Sequence, residues 1–180
     1  MNTATIDSFA VFILTHGRVD SVFTYKTLRK QGYTGDIYTI IDNEDDTADE
    51  YRRRFGEKVI VFDKLAISKT FDTADNSDDR RAIVYARNAC FGIAKDLGLD
   101  YFLELDDDYY EFRFNFSPSL KYQSVQVKNL DRLFRAMLEY YEQTNALTMA
   151  FAQGGDLIGG KNSGMPVSYT HLTLPTILLV

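Results

Sequence analysis

Cysteine is nearly absent: Cys90 is the only one in 180 residues. An intrachain disulfide and a thiolate metal site are therefore excluded, and a reducing cytoplasm is the expected compartment. No stretch approaches the ~20 apolar residues of a membrane span. Met1 to Ser8 is short and polar, without the charged-then-apolar order of a secretory signal. Positive charge is in deficit, since 20 Lys and Arg face 26 Asp and Glu, for a net charge of -6. That balance argues against a broad basic surface wrapping nucleic acid, although it leaves room for a local basic patch. Neither an internal repeat nor a low-complexity linker divides the chain. What is present, 45% hydrophobic and 26% charged residues, is ordinary for a soluble protein with one domain and a real core.

The apolar segments alternate with helical ones. Phe9 to Thr15 (FAVFILT) is continuous and of strand length, as suits a strand buried on both faces of a parallel sheet. Val19 to Gln31 has helical spacing in Val22, Tyr25 and Leu28, with Gly32 as its stop. Asp36 to Asp42 is a second strand and Lys58 to Phe62 a third. Thr47 to Phe55 is predicted as a short helix with Thr47 and Glu50 forming a capping box. Asp63 to Asp79 reads as a polar connection with Asp72, Asp75, Asp78 and Asp79. Arg80 to Leu97 is a helix with Ile83, Ala86, Cys90, Ile93 and Leu97 on one face and Gly98 as its stop. Tyr101 to Leu105 is a fourth strand, running into Asp106-Asp107-Asp108. Glu111 to Phe116 and Tyr122 to Val127 read as further strands. Leu130 to Gln143 is an amphipathic helix, with Leu133, Met137, Tyr140 and Tyr141 as its apolar positions. Ala146 to Ala152 starts a strand leading into Gly154-Gly155-Asp156-Leu157-Ile158-Gly159-Gly160. Strands alternating with helices imply a mostly parallel sheet flanked by helices, a single α/β domain of Rossmann-like type.

Residues 167–176 read Val-Ser-Tyr-Thr-His-Leu-Thr-Leu-Pro-Thr. This string is similar to the in-frame translation of a transposase sequencing adapter, GTC TCT TAT ACA CAT CTG ACG CTG CCG ACG, with every codon agreeing. The alternative is a β-strand-like tail rich in Thr and Leu. The expectation is a natural domain over 1–165, cut short on its C-terminal side, followed by a non-native tail over 166–180. His171 then carries no functional weight.

In open parallel sheets ligands bind beyond the carboxyl ends of the strands, which draws attention to His16, Gly17, Arg18, Asp42, Asn43 and the triple aspartate. Asp106 and Asp108, separated by one residue at a strand end, can present oxygens to one hard divalent ion, with Asp108 favoured as the direct ligand. A nucleoside diphosphate supplies further oxygens to the same ion, which neutralises charge on the leaving group. Acidic turns are common and usually just solvated. A cluster at the end of a buried strand, however, repels itself unless a cation compensates it. Arg87 and Asn88 lie mid-helix about twenty residues earlier. Arg87 can offer two-pronged donors to phosphate or to a metal-binding aspartate, and Asn88 can read a base or ribose edge. A surface Arg and a helix-lining Asn are the plainer alternative. Gly17 permits a tight turn, Arg18 can reach phosphate, and His16 is a nucleotide-contact candidate. Asp42 either accepts from a base N–H or ribose hydroxyl or caps a helix. Gly154-Gly155-Asp156 borders a sugar or acceptor site, or is only a turn.

The strings THGR, YTIIDNEDD, YARN, YFLELDDDY and AFAQGGD, in this order over about residues 8–165, resemble those of GT-A glycosyltransferases. Within that group the chain is most similar to the phage TET-associated glycosyltransferase family. The resemblance implies a metal-dependent, hexosyltransferase-like enzyme in the phage-infected host cytoplasm. Such an enzyme moves sugar from a nucleotide-sugar donor, with UDP-sugar favoured, to hydroxymethylated pyrimidines in phage DNA. By the same resemblance Asp106 and Asp108 would hold Mn²⁺ or Mg²⁺, while His16, Arg18, Asp42, Arg87, Asn88 and Asp107 would line the donor nucleotide. The acidic catalytic residue expected later in the family falls beyond this chain. No general base can be named, and the chain as written is expected to be catalytically incompetent. Two other readings remain: a nucleotidyltransferase or other two-metal phosphoryl-transfer enzyme, which needs a further carboxylate on a neighbouring strand, and a non-catalytic nucleotide-binding module with a solvated acidic rim.

Overall fold

Six consecutive buried side chains, Phe9–Leu14, form the central strand β1. In the computed structural model, which describes residues 8–72, 83–119 and 121–152 and the backbone of 176–179, β1 is sandwiched between two parallel neighbours. Val11 pairs with Ile37 of β2 (Asp36–Asp42) on one side and with Leu103 of β4 (Tyr101–Asp106) on the other. β3 (Val59–Phe62) adds parallel to β2. A strand covered on both faces and both edges has no solvated face, which is why β1 shows no polar alternation.

Alternation instead sorts side chains into two cores. Phe9, Val11 and Ile13 join Ile37, Ile41, Leu103 and Leu105 beneath the helices α1 (Phe23–Lys30), α2 (Ala48–Phe55) and α5 (Leu130–Glu142), which contribute Leu28, Tyr51, Leu130, Phe134 and Leu138. Ala10, Phe12 and Leu14 face the other way, onto Tyr85, Ala89, Cys90 and Ala94 of α4 (Val84–Asp96). Each fully buried Phe, Leu or Ile contributes roughly 1.5–3 kcal/mol, so both faces are substantial. β5 (Arg113–Phe116) and β6 (Tyr122–Gln126) form a separate antiparallel hairpin.

Several local expectations change. The helix expected from Val19 begins as a 3₁₀ turn, Val19–Ser21, and α1 starts only at Phe23. The capping box of Thr47 and Glu50 does not form. Asp45 Oδ1 accepts from Thr47 N at 2.8 Å and from Thr47 Oγ1 at 2.6 Å, so the aspartate builds the turn and takes the hydroxyl that would have capped. The buried stripe of α4 is Tyr85, Ala89, Cys90 and Ala94, while Ile83 and Leu97 are exposed. Small alanines let this helix approach the sheet closely. In α5 the stripe is Leu130, Phe134, Leu138 and Tyr141, with Leu133 and Met137 half-buried beside it and Tyr140 in solvent. A short helix, α3 (Lys64–Ser68), opens what reads in sequence as a polar connection; Asp63 caps it by accepting from Ala66 N at 2.9 Å.

β7 (Thr148–Ala150) is shorter than the segment 146–152, and β8 (Thr176–Leu179) runs antiparallel between β4 and β7. The six-stranded sheet has the order β3-β2-β1-β4-β8-β7. The Gly-rich segment 154–160, Asp75, Asp78, Asp79 and His171 lie outside the described residues. Among the described residues, no helix is long and apolar enough to cross a membrane.

Candidate functional site

The four parallel strands end in a cleft of about 530 Å³. β1 supplies Leu14 and, just past its end, Thr15, His16 and Arg18. β2 contributes Asp42, β3 contributes Phe62 with Lys64 beyond it, and β4 contributes Asp106 with Asp107 and Asp108; Ile83, Ala86 and Arg87 close the α4 side.

Strand alternation divides the triple aspartate. Asp106 has the parity of Phe102 and Glu104 and points toward α4. There Arg87 Nη2 donates to Asp106 Oδ1 at 3.1 Å and Nη1 donates to Glu104 Oε2 at 3.3 Å. Asp107 takes the opposite face. Its Oδ2 accepts from Thr15 Oγ1 at 2.7 Å and its Oδ1 pairs with Arg18 Nη1 at 3.3 Å. The Thr15 proton goes to Asp107, so the Tyr51 hydroxyl must donate to Thr15 Oγ1 at 2.9 Å while accepting from Arg18 N at 2.9 Å. Asp108 is exposed on the cleft and makes no hydrogen bond or ion pair among the described residues.

The turn itself is clamped by the start of α1. Thr24 N donates to Asp107 O at 3.1 Å and Thr24 Oγ1 donates to Asp106 O at 2.6 Å; Tyr109 N returns a bond to Thr24 Oγ1 at 2.9 Å. The carboxylates are thus positioned on fixed backbone.

Burial raises the Asp106 carboxyl above its usual pKa; Arg87 opposes the rise, while the charges of Asp108 and Asp107 add to it. Glu104, deeper in β4, is pushed up to about 7 by burial against the pull of Arg87. The site is therefore an electrostatically loaded acid group that a cation in the cleft would relieve. Arg87 Nε and Glu104 Oε1 are buried with no hydrogen-bond partner among the described residues.

At the other end of the cleft Asp42 is fully engaged. Its Oδ2 accepts from His16 Nδ1 at 2.9 Å and from Lys64 Nζ at 3.2 Å, and its Oδ1 accepts from Glu44 N at 3.0 Å.

The model of the TET-associated glycosyltransferase family matches residues 9–180. The chain belongs to that family. No curated protein matches the sequence. As a glycosyltransferase it requires a sugar donor and an acceptor; in open α/β sheets ligands bind beyond the carboxyl ends of the strands, where this cleft lies.

Of the residues singled out in the glycosyltransferase sequence, His16, Arg18, Asp42, Arg87, Asp106, Asp107 and Asp108 all line this cleft. Asn88 does not: its Nδ2 donates to Val84 O, one turn back in α4, at 2.9 Å. Arg87 is directed at an aspartate, one of its two anticipated partners. Four participants escape the sequence reading: Lys64, Thr15, Tyr51 and Glu104. Lys64 and Thr15 follow strand ends, so the rule that found His16 and Asp42 extends to them. Tyr51 sits on a helix and Glu104 inside a strand, where only the three-dimensional register reveals them. Among the described residues no further carboxylate on a neighbouring strand is turned toward Asp106 and Asp108, as a two-metal phosphoryl enzyme requires. No group of three or more His, Cys, Asp or Glu suited to a metal occurs among the described residues, and Asp42 is turned to Lys64 and His16.

Proposed function

We propose that this glycosyltransferase binds a nucleotide-sugar donor through a divalent cation held by Asp106 and Asp108. The single observation carrying the reading is the exposed, unpartnered Asp108 beside an Asp106 whose Oδ2 makes no hydrogen bond among the described residues. Two carboxylates provide too few oxygens for a hard divalent ion, which takes about six, so a donor diphosphate and water complete the set. When bound, Mn²⁺ or Mg²⁺ neutralises negative charge developing on the leaving diphosphate.

The remaining roles belong to the protein's own groups. Arg87 holds Asp106 from the α4 side and keeps Glu104 compensated. Asp107 anchors the loop through Thr15 and Arg18 rather than facing the ion. Strands lie ~4.8 Å apart, so Asp42 at the end of β2 and Asp106 at the end of β4, with β1 between them, are separated by ~10 Å. That span suits a nucleoside whose diphosphate rests at Asp106 and Asp108 and whose base lies over the ends of β2 and β3. The acceptor in this reading is a hydroxymethylated pyrimidine of phage DNA, by the resemblance of the sequence motifs.

Calorimetric titration of the protein with UDP-sugar, with and without Mn²⁺, tests this. Binding should require the ion and disappear in Asp108→Ala. Ion-independent binding, or unchanged binding in that variant, refutes the metal role. Binding of hydroxymethylated against unmodified DNA by the same protein checks the acceptor.

A further inference from the structure

Lys64 is a buried lysine, 6% exposed, in the wall of the donor cleft. Its backbone is pinned by Lys64 N donating to Asn43 Oδ1 at 3.1 Å. The side chain's only partner among the described residues is Asp42 Oδ2, at 3.2 Å. An ammonium carries three N–H donors and no acceptor, so its donor capacity exceeds its protein partners. A buried cation with one bond is costly unless something else completes its shell. Asp42, in contrast, already accepts from Lys64, His16 and Glu44 N. The hydrogen-bonding capacity left at this corner is thus the donor's, on Lys64, rather than the carboxylate's.

We propose that Lys64 recognises the donor nucleobase through its distal carbonyl oxygen, with Asp42 as the positioning residue that fixes the ammonium. The idea rests on the donor reading above. β3 is the parallel strand furthest from β4, and a diphosphate anchored at Asp106 and Asp108 directs the far edge of the base toward the end of β3. That edge carries O4 in uracil and O6 in guanine. In cytosine and adenine an amino group replaces the carbonyl, and an ammonium facing an amino group has no acceptor and meets its hydrogens. Lys64 therefore selects keto bases over their amino counterparts.

The test measures binding of UDP, CDP, GDP and ADP in the presence of Mn²⁺ to the wild-type chain, Lys64→Met and Lys64→Gln. A hydrogen bond to a charged donor gives about tenfold discrimination or more. UDP should exceed CDP, or GDP exceed ADP, by that factor for whichever ring size the cleft admits. Lys64→Met should level the keto and amino partners. Lys64→Gln should do the same, because its amide can keep a donor on Asp42 or turn its carbonyl toward an amino group. Thermal melts establish that each variant is folded, and the wild-type ranking decides even where one is not. Equal affinity for keto and amino bases in the wild type overturns the proposal, as does a preference that survives in a folded Lys64 variant. Failure of all four diphosphates to bind would instead sink the donor reading itself.

Discussion

The guanidinium of Arg87 reaches Asp106 Oδ1 at 3.1 Å from a helix nineteen residues earlier in the chain. The same group is also the compensating charge for Glu104, which is 2% exposed. One arginine therefore links the stability of β4 to the geometry of the site.

Removing that arginine should be costly for the fold as well as for donor binding. At about pH 8, above the folded pKa of about 7 of Glu104, Arg87→Met forces that carboxyl either to stay charged without a cation or to take up a proton, and breaking a buried pair from one side costs about 3–5 kcal/mol. Adding Glu104→Gln to Arg87→Met should recover most of the loss, since neither charge remains. Urea denaturation of the single and double variants measures this. Equal destabilisation in both would show that the pair is not coupled.

Asp107 and Asp108 are adjacent in sequence and opposite in consequence. Asp107→Asn weakens the bonds from Thr15 and Arg18 to a buried carboxylate and should lower stability by about 1–3 kcal/mol. Asp108→Asn relieves repulsion on Asp106, so it should not lower the melting temperature, while Mn²⁺-dependent donor binding should be lost. Melts and titrations on both variants distinguish an anchoring aspartate from a ligating one.

Much of this arrangement is legible in sequence. The apolar run of β1, the strand into Asp106 and the helix carrying Arg87 mark a parallel α/β sheet with its acids at strand ends. The division of labour within the triple aspartate is not, because it depends on which sheet face each side chain takes and on what waits there. Asp42 is misleading for a related reason: a carboxylate at a strand end looks free until Lys64, on an unrecognised five-residue helix, is folded against it. Tyr51 lies on the short helix expected over Thr47 to Phe55 with nothing in the sequence to single it out, yet its hydroxyl lies between Thr15 and Arg18. Burial raises the pKa of that hydroxyl above its usual value, consistent with a neutral donor.

Stability should fall as pH rises from about 5 to 7. Glu104 has a folded pKa of about 7 against 4.5 in its ordinary state. Between these values the folded protein holds a proton that the unfolded chain has released, so raising the pH favours unfolding. At 1.36 kcal/mol per pH unit, the interval from 4.5 to about 7 corresponds to roughly 3–4 kcal/mol at most. Glu104→Gln should flatten the trend over this range. Urea midpoints at pH 5, 6, 7 and 8, as order-of-magnitude sampling points around that interval, provide the check, and a wild-type stability that rises across it contradicts the assignment.

Cys90 should be inert in the folded protein. It is fully buried against the sheet, and burial together with the neighbouring Glu104 pushes its thiol well above the usual range, so little thiolate exists to react. Labelling with an aromatic disulfide should then follow global unfolding and accelerate with urea.

Gly32 couples α1 to the far side of the domain. Its φ of 84° is a left-handed conformation, and a Cβ there would meet Lys128 O at 2.9 Å. Next to it, Gln31 Nε2 donates to Phe112 O at 2.9 Å while Phe112 N donates back to Gln31 Oε1 at 2.8 Å, joining the same helix end to the approach to β5. Gly32→Ala therefore combines backbone strain of about 1–2 kcal/mol with displacement of the segment that precedes α5. Since α1 also clamps the aspartate turn through Thr24, the loss should appear in the denaturation midpoint and in weaker donor binding together. Gly98→Ala, at a φ of 68° with no atom within 4 Å of the added Cβ, is the control: it carries the strain without the collision and should cost less. A Gly32→Ala protein as stable as Gly98→Ala would show that the contact with Lys128 does not constrain α1.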